Sequence, residues 1–395
     1  MSLVLEGEYM SASEAAAALG VSVQTLYVYV GRKGIRSQAI PGSRQRRYWK
    51  ADIERVVGKR KPGLAFIGKL SEESRITLIT EDGPFYCGKS VAQLAATATF
   101  EETAALLWGR PVEEIFTADP PTIPPLFAKV SALFARESEI NRATALLPLL
   151  EEANPRAFDM SSKGMARSGA DIVRALAAIM MRTDRPTGEP LHQFLARELD
   201  VSPIMADLIR RLLVLSADHG LGTGSVAVRA VASTGVTPWR VVISGLTVSH
   251  GRRAQLDNWH SAGELLGELL ESRNPAALIA ERLTANENLP GFVSPLYPRG
   301  DPRTRVLLGF FAESFAANLP FQRLADALEV ARNDYDRHPN FSLISQFADR
   351  LLGLGPSQSL FHLGRSAGWI AHGIEQYQLG EAEHVLEVYT GPLPN

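Results

Sequence analysis

The chain has a single cysteine, Cys87, in 395 residues. No intramolecular disulfide can form, a cysteine-built zinc ribbon or finger is excluded, and a reducing compartment fits best. No uncharged apolar run approaches the ~20 residues needed to cross a bilayer. The opening residues, MSLVLEGEYM, lack the basic start and apolar stretch of a signal peptide. The expectation is a cytoplasmic protein with no membrane partner. There is no internal repeat and no low-complexity tract. Overall charge is also scarce, at −2, which by itself argues against a nucleic-acid partner. Apolar residues make up 45% and charged residues 21%, the balance of a soluble globular chain long enough for two or three domains or one large one.

The small net charge hides an asymmetry. Residues 1–62 hold eleven Lys/Arg against five Asp/Glu, a charge of +6, while the remaining 333 residues carry −8. A basic head on an acidic body points to an appended polyanion-binding module. Ser11-Ala-Ser-Glu14 has the form of a capping box, an Ala-rich helix follows from Glu14 to Leu19, and Gly20 ends it. Ser22 then caps a second helix, Val23 to Val30, with Gly31 and Gly34 beyond. Two short helices joined by Leu-Gly-Val-Ser form a helix-turn-helix pattern, whose second helix enters the major groove. The stretch Ile40-Pro-Gly-Ser-Arg-Gln-Arg-Arg-Tyr-Trp49 has the shape of a wing hairpin, and a third helix starts at Asp52. Candidate DNA contacts are Gln24 and Tyr27 on the second helix, with Arg32, Lys33, Arg36, Arg44, Arg46 and Arg47 around it and on the wing, where phosphate contacts are wanted. The segment resembles the winged helix-turn-helix of the MerR and excisionase families. Lys59-Arg-Lys-Pro-Gly63 reads as a linker to a second domain, 63–395.

Beyond the linker the sequence predicts a hairpin, with Ile76, Leu78 and Ile79 before Glu81-Asp-Gly83 and Phe85-Tyr-Cys87 after it. Amphipathic helices follow at Glu101–Trp108, Gly169–Met181, Ile204–Ser216, Ala262–Leu270, Asp301–Phe315 and Phe321–Tyr335. In the fifth, Val306, Leu307, Phe310, Phe311 and Phe315 share one face. Prolines fall largely at the breaks. Cys87 reads as a packed small residue.

Four stretches concentrate histidine and arginine among glycines: Ser216-Ala-Asp-His219-Gly-Leu-Gly; Ile243 to His250-Gly251; Leu289-Pro-Gly-Phe-Val-Ser294-Pro-Leu-Tyr-Pro-Arg-Gly-Asp-Pro-Arg303; and His338-Pro-Asn-Phe-Ser342 followed by Phe361-His-Leu-Gly-Arg365-Ser-Ala-Gly-Trp. In this order they resemble the citrate synthase family, over residues 72 to 392, and the subset of it that carries an N-terminal helix-turn-helix. The resemblance implies a mainly α protein: a winged helix-turn-helix, then an all-α citrate synthase-like fold of large and small domains, the small one spanning about 250–352. It also implies a homodimer, which would present two reading heads to palindromic double-stranded DNA.

The family joins an acyl-CoA to a 2-oxo acid, usually oxaloacetate, with no covalently bound cofactor and no metal. An aspartate removes a thioester α-proton while histidines act on the thioester and ketone oxygens, and arginines hold the carboxylates. By resemblance His250 acts on the thioester, while His219, Arg303 and Arg365 bind the oxo acid. The ketone-polarising histidine is replaced by Ser294 and the aspartate base by Ser342. Arg252 stands where the family has glycine, and His384-Val-Leu386 replaces Arg-Pro-Arg, removing an arginine that reaches the neighbouring subunit's site. Asp334, Asp336 and Asp349 are the carboxylates near enough in sequence to stand in for the base. His260, His362 and His372 read as structural. The expectation is a regulator whose head binds DNA and whose body binds an acyl-CoA or a di- or tricarboxylate. The alternative is a working citrate or 2-methylcitrate synthase-type acyltransferase.

Overall fold

Serine and glycine set the bounds of the first helix. In the computed structural model, Glu14 N–H donates to Ser11 Oγ at 3.3 Å while Ser11 N–H donates to Glu14 Oε2 at 2.8 Å, closing the predicted capping box on α1 (Ala12–Leu19). Gly20 ends α1 in the left-handed region, φ 61°. Ser22 accepts from Thr25 N–H (3.2 Å) at the start of α2 (Val23–Lys33), which runs on through Gly31, the residue expected to stop it. Glycine in a helix costs only about 1 kcal/mol against alanine, so it need not end one. The structure describes residues 9–33, 35–40, 42–43, 45–50, 52–53, 56, 74–220, 222–251, 259–285, 287, 289–292, 294, 296–355 and 359–380, with the side chains of 31–33 and 359 excepted.

The chain divides into two compact units, and residues 9–56 belong to the first. There β1 (Tyr9–Met10), β2 (Ser37–Ala39) and β3 (Arg46–Trp49) form an antiparallel sheet in the order β1-β3-β2, with Gln38 opposite Arg47. Ala15, Ala16, Leu19, Leu26, Ile35 and Tyr48 pack with Ile53 and Val56 of the expected third helix into a small core. The linker Lys59–Gly63 lies outside the described residues.

The second unit spans Glu73–Ala382. It opens with β4 (Thr77–Thr80), β5 (Gly83–Tyr86) and β6 (Lys89–Ser90), an antiparallel sheet in that order, as the hairpin signal predicted. Cys87, expected to be packed, is instead exposed: it occupies the tight turn between β5 and β6 with φ 46°. Helices follow: α3 (Val91–Thr97), α4 (Phe100–Trp108), α5 (Val112–Ile115), α6 (Leu126–Leu133), α7 (Glu139–Ala153), α8 (Ser162–Met180), α9 (Leu191–Glu198), α10 (Pro203–Ser216), α11 (Thr223–Ala232), α12 (Pro238–Ser249), α13 (Ser261–Glu271), α14 (Pro275–Thr284), α15 (Pro302–Ser314), α16 (Leu319–Tyr335), α17 (Phe341–Leu351) and α18 (Ser359–Leu379). Proline stands in the first turn of α10, α12, α14, α15 and α16, where its missing N–H costs nothing. No described helix is long and apolar enough to cross a membrane.

One hydrophobic core runs through this unit. α18 lies at its centre, against α4, α8, α10, α11 and α12. Gly364 and Gly368, one turn apart on α18, let the end of α10 come into backbone contact. A Cβ on Gly364 would stand 2.7 Å from Leu213 O, and one on Gly368 2.4 Å from both Ala217 O and Asp218 Oδ1. Gly368 N–H donates to Ala217 O at 2.9 Å. This close approach brings the Asp218-His219 loop beside Arg365.

Candidate functional site

Asp218 is the anchor of the site. Its carboxylate is fully buried: Oδ2 accepts from Thr77 Oγ1 (2.6 Å) and Gly220 N–H (2.9 Å), and Oδ1 lies 3.3 Å from His372 Nε2. Its carbonyl accepts from Tyr86 Oη (2.8 Å), and its own N–H donates to the same oxygen (3.0 Å). Burial alone would raise the pKa of this carboxyl. His372, Arg365 and Thr77 outweigh it and hold Asp218 below the usual carboxylate range. The His219 loop is therefore fixed from three sides, by β4, β5 and α18.

His219 Nε2 lies 3.0 Å from Tyr297 Oη, with the two rings edge to face. Burial, then the charges of Arg303 and Arg365, push the imidazole well below its ordinary pKa, so it is neutral at pH 7. Arg303 is buried at the start of α15. It forms a two-point ion pair with Asp301, Nε to Oδ1 at 3.1 Å and Nη2 to Oδ2 at 2.7 Å, and its guanidinium lies 4.2 Å from the centre of the Phe341 ring. Asp301 also caps α15, accepting from Arg303 N–H at 2.9 Å. Arg365 donates Nε–H to the Ser216 carbonyl at 2.8 Å and lies over Phe361. Burial and repulsion from Arg303 lower its pKa, against the attraction of Asp218.

The two serines stand on segments that are tied together. Asn340 caps α17, and its backbone N–H donates to Gly291 O at 2.7 Å, joining the start of α17 to the Gly291–Arg303 loop. Ser342 is half-buried in the first turn of α17, and Ser294 is half-buried on the loop. No described residue hydrogen-bonds either hydroxyl. The structure thus brings His219, Arg303, Arg365 and the Ser294 and Ser342 segments into one linked set. His250 is the C-cap of α12, with its N–H on the Leu246 and Thr247 carbonyls and its side chain exposed. Arg252, His384 and Leu386 lie outside the described residues.

None of the three neighbouring aspartates replaces the missing base. Asp334 is exposed on α16, and Asp336, at its C-cap, lies 3.1 Å from His338 Nε2. Asp349 is on the Ser342 face of α17 but two turns deeper, about 10 Å along the axis. Sequence reasoning passed over Asp218, Tyr297 and Asp301, and it assigned His372 to packing alone. Each lies inside or one turn beyond a motif rich in histidine and arginine, which is the signal that could have found them. His260 is exposed and lies 3.4 Å from Glu264.

In the first unit, Val23, Gln24, Tyr27 and Val28 form an exposed face of α2, with Tyr27 57% and Val28 50% accessible. Arg46 reaches Ser37 (Nε to Oγ, 3.0 Å), and Arg47 reaches Gln38 Oε1 (2.9 Å) while lying over Tyr9. Arg36 points inward: it binds Asp52 through Nε (2.8 Å) and Nη2 (3.1 Å), so it braces the hairpin against the third helix. Arg44 and the side chains of Arg32 and Lys33 lie outside the described residues.

Residues 65–385 match the family model described as citrate synthase, C-terminal domain. The chain belongs to the citrate synthase family. It is 25% identical over 357 residues to citrate synthase 2 of Bacillus subtilis (strain 168), covering 82% of this chain and 95% of that one. It is 23% identical over 376 residues to the citrate synthase of Haloferax volcanii, covering 85% and 96%. The fold is that of the Thermoplasma acidophilum citrate synthase solved as a ternary complex with carboxymethyl coenzyme A and oxaloacetate. The TM-score is 0.68 at 18% identity, over 83% of this chain and 96% of that one. Pyrobaculum aerophilum citrate synthase matches at TM-score 0.68 and 17% identity, over 91% and 96%. This citrate synthase-family chain is therefore mainly α, as its motifs implied.

Proposed function

We propose that this protein is a DNA-binding regulator whose citrate synthase-like body binds a small carboxylate or an acyl-CoA instead of turning it over. The observation that carries the reading is the contrast within one site. His219, Arg303 and Arg365 are held in a buried, braced set, whereas Ser294 and Ser342 stand where the chemistry needs an acid and a base. A serine hydroxyl without an activating partner does neither job at neutral pH. The basic first unit supplies the output. The exposed Gln24–Tyr27 face of α2 is the reading surface, and Arg46 and Arg47 on the hairpin are the phosphate contacts. A two-fold dimer would carry two such heads. Ligand control of DNA affinity then follows from different ligand contacts in two states of the body.

Two measurements test this reading. Arg365→Ala should abolish the response of DNA binding to small carboxylates while leaving the affinity of the unliganded protein within about twofold, because the two functions reside in different units. A variant that keeps the response overturns the assignment. Arg46→Ala with Arg47→Ala should lower the slope of log K against log salt by about 1 for each phosphate no longer neutralised, with the head's folding checked by circular dichroism. An unaltered slope would show that the hairpin does not touch phosphate. The retained His250 favours a second reading, a working condensing enzyme under the control of its head.

A further inference from the structure

The charges around His219 are already half cancelled. Arg303 is neutralised by Asp301 through a two-point ion pair that also caps α15. Asp218 faces Arg365 from below, with its own oxygens taken by Thr77, Gly220 and His372. Arg365 spends Nε–H on the Ser216 carbonyl and donates its two Nη groups to no described residue. That leaves one guanidinium edge, the Nη1–Nη2 end, open for one carboxylate. A second carboxylate in the same place would meet Asp301 before it met a free cation, and an unpaired buried charge is strongly unfavourable.

The polar group beside that edge is a relay, not a charge. Tyr297 is 3% exposed, and its Oη lies 3.0 Å from His219 Nε2. A neutral imidazole bearing its proton on Nε2 donates to Tyr297 Oη, which leaves the hydroxyl proton to donate outward to a ligand oxygen. Burial supports this, since it pushes the phenol up to about 12 and keeps it a donor. Such a donor recognises a carbonyl oxygen next to the carboxylate and contributes nothing to a plain fatty acid.

We propose that the site takes a 2-oxo acid with a single carboxylate, held by Arg365 on the carboxylate and by the Tyr297 hydroxyl, relayed from His219, on the C2 oxygen. The inference rests on the reading of the body as a small-carboxylate sensor and narrows it to one charge class. It excludes the di- and tricarboxylates that the sequence motifs suggested.

The test is calorimetric titration of the full chain with 2-oxobutyrate, butyrate and oxaloacetate. 2-Oxobutyrate should bind at least about tenfold tighter than either of the others, for want of the hydrogen bond in one case and of a second free cation in the other. Tyr297→Phe should bring 2-oxobutyrate down to the level of butyrate and leave butyrate itself unchanged. Asp301→Asn, with α15 still capped by the amide oxygen, should shift the preference toward oxaloacetate. Tighter binding of oxaloacetate by the natural protein overturns the charge class while leaving the sensor reading intact. An unchanged 2-oxobutyrate to butyrate ratio in Tyr297→Phe overturns the relay. No heat with any of the three overturns the small-carboxylate reading, and this inference with it.

Discussion

Ser294→His combined with Ser342→Asp is expected to raise CoA release from acetyl-CoA or propionyl-CoA by about 10²-fold or more over the natural protein. A positioned general acid or base contributes about 10²–10⁴-fold. The two groups act in one concerted step, so restoring either alone should recover far less than half of the effect on a logarithmic scale. The scaffold for both is present. Asn340 caps α17 and ties it to Gly291 at 2.7 Å, so the introduced aspartate and histidine would project from segments already joined. Oxaloacetate and 2-oxobutyrate should be compared as acceptors, and the single-carboxylate pocket predicts the larger gain with 2-oxobutyrate. Turnover by the natural protein at the rate of the double variant would show that the serines are not disabling. The head would then be regulating or tethering a working enzyme.

What the sequence made legible was the set of motifs, and what it hid was the orientation of side chains. The Gly364 and Gly368 spacing in Phe361-His-Leu-Gly-Arg-Ser-Ala-Gly is a local pattern, and so is the capping box at Ser11, and both were readable. Arg36 shows the opposite case. Its place in a basic cluster suggested phosphate, yet Asp52, sixteen residues on, turns the guanidinium inward. His372 looked like packing because its partner, Asp218, is far away in sequence. α8 was predicted to begin at Gly169 but starts at Ser162, where Ser161 caps it. The missed turns are polar and rich in small residues, and the helix is buried almost all round from Gly164 to Met180. A search for one apolar face is blind to such a helix. Tyr297 lay in plain view inside the Leu289–Arg303 motif, but the resemblance directed attention to Ser294 three residues earlier.

Replacing Asp349 by Asn should stabilise the protein at pH 8 and have little effect near pH 4. Asp349 is 3% exposed on α17, and its Oδ1 has no hydrogen-bond partner among the described residues. Burial alone pushes its carboxyl from the ordinary 3.8 up to about 8. The unfolded chain gives up this proton as pH passes 3.8, whereas the folded chain holds it until about 8. Below the lower value both states are protonated and no stability is lost. Between the two values the unfolded state binds fewer protons, so stability falls as pH rises, and above the upper value the loss is complete. The full loss is on the order of a few kcal/mol, a large fraction of the total for any domain. An amide cannot ionise and keeps nearly the same shape. Thermal unfolding of Asp349→Asn should therefore show a midpoint several degrees above the natural protein at pH 8 and a flatter decline from pH 5 to 8. An equal drop in midpoint at both pH values would mean that the carboxylate is ionised and partnered in the fold.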